Sequence, residues 1–144
     1  MLNIVRQIGG QQQALESGCY WMLDNGQYTD KWTWKLWWYW LNALLPFKDK
    51  CLGILIPDKV ADMILTLHYF RVYSHIPREL GYPVGLCTQD GMTPDMIPWS
   101  ALDCLFIGGS NNHKRGREGQ DLILEAKKQE KSVTIGRVEQ LLGS

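Results

Sequence analysis

Five short apolar runs recur along the chain, at residues 19–23 (CYWML), 51–56 (CLGILI), 83–87 (PVGLC), 104–107 (CLFI) and 132–135 (SVTI). Each is rich in aliphatic, aromatic or β-branched side chains and is followed by Gly, Pro, Asp or Thr-Gln-Asp-Gly punctuation. Unbroken apolar runs of this length mark strands buried on both faces, as in parallel sheets covered by helices.

Helical periodicity fills most of the spaces between them. After the turn Asp24-Asn25-Gly26, Thr29 or Asp30 can cap a helix reaching about Leu45, and Pro46 stops it. An Asn-Gly hairpin competes with this reading, but the segment that follows is helical in pattern, not alternating. Trp34, Trp37 and Leu41 share one helical stripe, and Leu36, Trp40 and Leu44 another. The tryptophans, with Trp32 and Trp38, therefore read as a packing face in preference to stacking platforms for nucleic-acid bases. Residues 59–74 are amphipathic through Val60, Met63, Ile64, Leu67 and Phe70. Residues 92–99 carry two prolines and residues 111–119 are polar and glycine-punctuated, so both read as loops. Leu122, Ile123 and Ala126 then mark a helix ahead of the last strand. Residues 1–18 give no clear strand.

Strand, helix and strand in succession imply right-handed parallel crossovers. The predicted fold class is α/β: parallel β/α units of a TIM-type (β/α)8 barrel, incomplete at about five strands, with an open parallel sheet as the alternative. Residues 1–144 form a single partial-barrel domain on this reading. A closed barrel takes eight units and about 250 residues.

Lys and Arg number 15 and Asp and Glu 15, so no global field holds a polyanion. That argues against a nucleic-acid coat protein and leaves room for an enzyme with a local basic groove. Cys19, Cys51, Cys87 and Cys104 form no CxxC pair and read as reduced, mostly buried thiols. His68 and His75 have no partner at ligand spacing, so no metal is expected. No signal peptide and no apolar run of membrane-spanning length is visible, so a cytoplasmic protein without a membrane partner is expected.

Candidate chemistry sits where the apolar runs stop: Asp24-Asn25-Gly26, Pro57-Asp58, Gln89-Asp90-Gly91, Gly108-Gly109-Ser110 and Gly136-Arg137. Taken singly, each is ordinary turn chemistry, and Asp58 reads as a helix N-cap. In a barrel all five converge on one face, where such folds keep their sites. Carboxylates around a glycine-lined pocket suit proton transfer on a planar polar ligand. Asp and Gln can read a base edge, and glycine lets the backbone approach and donate.

The ordered motifs LDNGQYT, LIPD, TQDG, DCLFIGGS with a following lysine, and EAKKQEKSVTIGRV resemble the guanine transglycosylase superfamily. The likeness is closest to its phage and bacterial DNA-modifying branch and spans residues 20–138. It implies a barrel enzyme exchanging guanine in DNA, ahead of tRNA, for a 7-deazaguanine base by double displacement. By position, Asp24 is then a general acid/base, Asp58 reads the heterocycle edge, Gln89 contacts the base, and the backbone of Gly108 and Gly109 lines the pocket. Lys114, Arg115 and Arg117 lie in a basic stretch beside the glycine pair, where they would contact backbone phosphates or form a solvated loop. Asn25-Gly26-Gln27-Tyr28 stand where the family has Ser-Gly-Gly-Phe, and Glu139 where it has Asn. The family's nucleophilic aspartate lies beyond the last motif, and no Cys/His cluster matches its structural zinc. The alternative expectation is a truncated, non-catalytic remnant or partner-binding module, or a subunit whose barrel a second chain completes.

Overall fold

The computed structural model describes residues 2–5, 16, 18–24 and 33–136. Short apolar runs become strands β1 (Leu2–Val5), β2 (Tyr20–Leu23), β3 (Cys51–Leu55), β4 (Val84–Cys87), β5 (Cys104–Ile107) and β6 (Ser132–Ile135). The described helices are α1 (Trp34–Ala43), α2 (Met63–Tyr73), α3 (His75–Glu79), α4 (Asn111–Arg115) and α5 (Arg117–Lys128). All six strands run parallel, and their order across the sheet is their order in the chain.

That order has a mechanical consequence. Each crossover steps one strand in the same direction, and right-handed crossovers then place their helices on one face. The sheet curls around the other face into a half-barrel. Period-two alternation sorts the side chains between the two sides. Trp21, Leu23, Ile54, Val84, Leu86, Leu105 and Ile107 join Trp37, Leu41, Leu67, Phe70, Leu122 and Ala126 in the larger core. Met22, Leu55 and Cys104, with Phe106 against them, make the smaller cluster.

The smaller cluster explains two glycines. A Cβ at Gly85 on β4 would lie 2.6 Å from Cys104 Sγ and 2.9 Å from Leu55 Cδ2. One at Gly53 on β3 would collide with the same sulfur, although β4 separates β3 from β5. The Cys104 side chain leans across the bare backbone of β4, which a concave face with no side chain there permits.

Several sequence expectations need correction. Residues 2–5 are a strand, so the sheet has six strands and not five. Its run is short and interrupted by Asn3, and only pairing with β2 reveals it. Residues 111–119 are not a loop. Ser110 Oγ caps α4 by accepting from His113 N (3.3 Å), and Gly116 separates α4 from α5. α2 starts at Met63, with Asp62 as its cap: Oδ1 accepts from Leu65 N at 2.9 Å. Asp58 is therefore not the N-cap. α1 is capped by Thr33, whose Oγ1 accepts from Leu36 N at 3.0 Å. Thr29, Asp30, Trp32, Asn25 to Tyr28, Arg137, Val138 and Glu139 lie outside the described residues. Pro46 falls in a 3-10 turn, Leu45–Lys50, directly after α1.

The tryptophans do pack. Trp37 and Leu41 are buried, and Trp34 meets Tyr73 with ring centroids 4.1 Å apart and Trp37 edge-on at 5.9 Å. Cys51, Cys87 and Cys104 are buried free thiols, and burial pushes Cys51 and Cys104 up to about 12. Thiols so placed stay protonated at neutral pH and unreactive.

Gly53→Ala is expected to lower unfolding stability by about 1–3 kcal/mol through overpacking. Adding Cys104→Ala should recover part of that loss, because the sulfur is what the new methyl meets. Urea denaturation of the four members of this cycle checks it. An equal loss in both backgrounds would contradict the concave packing.

Candidate functional site

Parallel strands in register deliver their C-terminal ends to one rim, and the polar groups that follow those ends meet there. Asp24 follows β2, Asp58 follows β3, Thr88 and Gln89 follow β4, and Gly108 follows β5. Asp58 is 5% exposed and Gln89 2%. Two polar side chains so deeply buried need partners, since an unpaired one loses its hydration without compensation. They find each other: Gln89 Nε2 donates to Asp58 Oδ2 at 2.5 Å. Gln89 Oε1 accepts from Ala61 N at 3.1 Å, and Nε2 lies 3.9 Å from Cys87 Sγ.

The loop that supplies Ala61 is braced from below. Buried Thr66 on α2 accepts from Lys59 N (2.9 Å) and donates to Lys59 O (3.1 Å) through the same hydroxyl. Asp62 N closes a turn onto Lys59 O at 3.0 Å. Ala61 itself is left-handed, with φ 63°. An L-residue gives up about 1–2 kcal/mol there, which the surrounding bonds offset.

Gly108 lets the end of β5 run against the end of β4. A Cβ would stand 2.6 Å from Cys87 Sγ and 2.8 Å from Thr88 O, with Gln89 Nε2 at 4.0 Å. Cys87 reports the charges around it. Burial pushes its thiol well up, the carboxylates of Asp58 and Asp24 push it further, and Lys114 pulls it back. Asp24, Asp58 and Lys114 thus surround one buried sulfur.

A second network holds the rim loops together. His113 is 2% exposed, and its Nε2 lies 2.9 Å from Thr88 Oγ1 while Nδ1 lies 2.7 Å from Glu118 Oε1. The same Glu118 oxygen accepts from Gly91 N at 3.0 Å. Asp90 Oδ1 accepts from Ser110 N at 2.7 Å. Gly109 is left-handed, φ 79°, and a Cβ there would collide with that Asp90 oxygen.

The structure therefore brings together Asp24, Asp58, Gln89, Gly108 and Lys114, with Gly109 one step away at Asp90. Arg115 and Arg117 are exposed, and Arg117 lies 3.8 Å from Asp121 one helical turn on. His113, adjacent to these cations in sequence, is a buried connector and not part of a basic surface loop. Sequence reasoning missed Ala61, Thr88 and Glu118, none of which carries a local signal. The Thr88–His113–Glu118 chain resembles a nucleophile–base–acid series, but Thr88 has no exposed surface, so its hydroxyl serves structure.

Among the described residues, no group of three or more His, Cys, Asp or Glu is placed to hold a metal ion, so they do not build a zinc cage. No described helix is long and apolar enough to cross a membrane. No family model matches the chain, and no curated protein or solved structure matches it at a significant level.

The Ser110 N–H holds the Asp90 carboxyl below its usual value, and the His113 ring does the same for Glu118, helped by Gly91 N–H. A depressed folded value adds stability above the unfolded pKa, about 4, and that contribution is lost as pH falls through the folded value. Asp90→Asn should therefore lower the urea midpoint at pH 7 and converge with the parent below about pH 3. Midpoints that differ equally across that whole range would contradict it.

Proposed function

We propose that the chain is a guanine transglycosylase-like protein on a TIM-type (β/α)8 plan, with its base pocket on the rim. The observation that carries this reading is the buried Asp58–Gln89 pair beside Gly108. Guanine and 7-deazaguanines present a carbonyl at position 6 and N–H donors at N1 and N2. A carboxylate suits the donors and an amide N–H suits the carbonyl. In a water-excluded site, a ligand with the wrong pattern leaves buried groups unpaired, which is the strongest form of discrimination available to a pocket.

The remaining roles follow the motif resemblance. Asp24 acts as general acid/base beside the sulfur it perturbs, and the Gly108-Gly109 backbone lines the base. Lys114 offsets the two carboxylates from inside, and Arg115 and Arg117 contact phosphates of DNA, or of tRNA, from outside. Exchange by double displacement at C1′ takes one further carboxylate as nucleophile, which the resemblance places beyond residue 138, outside the described residues. No cofactor enters this chemistry.

A second reading keeps the pocket without the chemistry, as a base-binding module or a subunit completed by another chain. Among the described residues β6 pairs only with β5, and Ile135 on it is half exposed, which favours a further strand alongside.

Calorimetric titration with guanine, a 7-cyano-7-deazaguanine and adenine separates these ideas from an unrelated function. The two 6-keto bases are expected to bind and adenine to bind at least tenfold more weakly, about 1.4 kcal/mol. Asp58→Asn should weaken the keto bases by a similar factor. Equal binding of all three bases, or none, would contradict the proposal.

A further inference from the structure

We propose that Ala61 is a positioning residue that fixes which way the Gln89 amide faces, and through it the preference of the pocket for a 6-keto over a 6-amino purine. This rests on the base-pocket reading above for its ligand, though not for the geometry of the lock.

A glutamine amide is nearly symmetric in shape and opposite in hydrogen bonding at its two ends. Left alone, it turns over and accepts either pattern. Here both ends are specified. Ala61 N–H points at Oε1 from 3.1 Å, and the Asp58 carboxylate takes Nε2. A turned amide would set oxygen against carboxylate and NH2 against the Ala61 N–H, two like-against-like contacts in a buried place. The remaining Nε2 proton faces only Cys87 Sγ, at 3.9 Å. That weak contact is the one a ligand can replace, and it can be replaced only by an acceptor. A 6-carbonyl fits and a 6-amino group does not.

The backbone at Ala61 is what makes the lock. Its side chain is exposed, so packing does not require its conformation. Its φ of 63° is nonetheless in the left-handed region, which turns the N–H back toward a residue 28 positions away. The Thr66 hydroxyl clamps both polar backbone groups of Lys59, two residues earlier, so the loop does not relax away. A strained backbone held against a buried side-chain amide is stability exchanged for orientation.

The test is Ala61→Gly in the full chain. Glycine removes the left-handed penalty while freeing the loop, so stability and selectivity should move in opposite directions. The melting temperature is expected to rise, the guanine-over-adenine ratio of dissociation constants to fall at least fivefold, and the Gln89 side-chain amide protons to exchange with solvent at least tenfold faster by 15N NMR. A merely structural role would leave the ratio unmoved. A variant with unchanged ratio and unchanged exchange overturns the lock. If the parent binds neither purine, the base-pocket reading fails and exchange alone decides the lock: faster exchange in the variant supports it, and equal exchange overturns it.

Discussion

Each strand of this protein pairs in parallel with its predecessor in the chain, and the other features are arranged around that constraint. Sequential parallel pairing with crossovers of one hand leaves a single face for the helices and bends the sheet around the other. The convex side then holds the large core of Trp21, Ile54, Leu86, Leu105 and their helical partners. The concave side has room only for Met22, Leu55, Cys104 and Phe106, and it needs glycine at 53 and 85 to admit the cysteine. The same geometry carries the four strand ends that bear polar groups to one rim, so four separate turns become one site.

At that rim the chain buries what chains usually expose. A carboxylate and an amide sit almost without solvent contact, and each is satisfied by the other and by a backbone N–H or thiol nearby. Around them, Thr88, His113 and Glu118 tie the end of β4 to α4 and α5, while Asp90 ties it to the turn after β5. Networks of this kind are costly when half satisfied and rigid when complete. Completeness here gives a pocket wall of fixed polarity, which a recognition site for a flat heterocycle requires.

The five strands from residue 20 onward were legible because buried parallel strands write themselves as short apolar runs. The convergence of Asp24, Asp58, Gln89 and Gly108 was legible too, once a barrel order was assumed. β1 escaped because its four residues alternate too little to signal a strand without a partner. The helices over 111–128 were partly missed because their first turns are polar, and a solvated helix and a loop look alike in composition. Asp58 shows the limit most sharply. Locally it is an excellent cap for the helix that follows, and only the fold hands that task to Asp62 and turns Asp58 inward to meet a glutamine 31 positions on. Ala61 could not have been found at all, since a left-handed alanine has no signature in sequence.

The central claim is that Asp58, Gln89 and Gly108 form one pocket for a 6-keto heterocycle. Its most direct test is a set of 1H–15N spectra recorded as a 7-deazaguanine is added. The account expects shifts confined to the Gln89 side-chain amide and to the backbone signals of Ala61, Gln89 and Gly108, with the aromatic surface near Trp38 and Tyr39 silent. Shifts centred on that aromatic surface, or none anywhere at millimolar ligand, about −4 kcal/mol of binding, would contradict it.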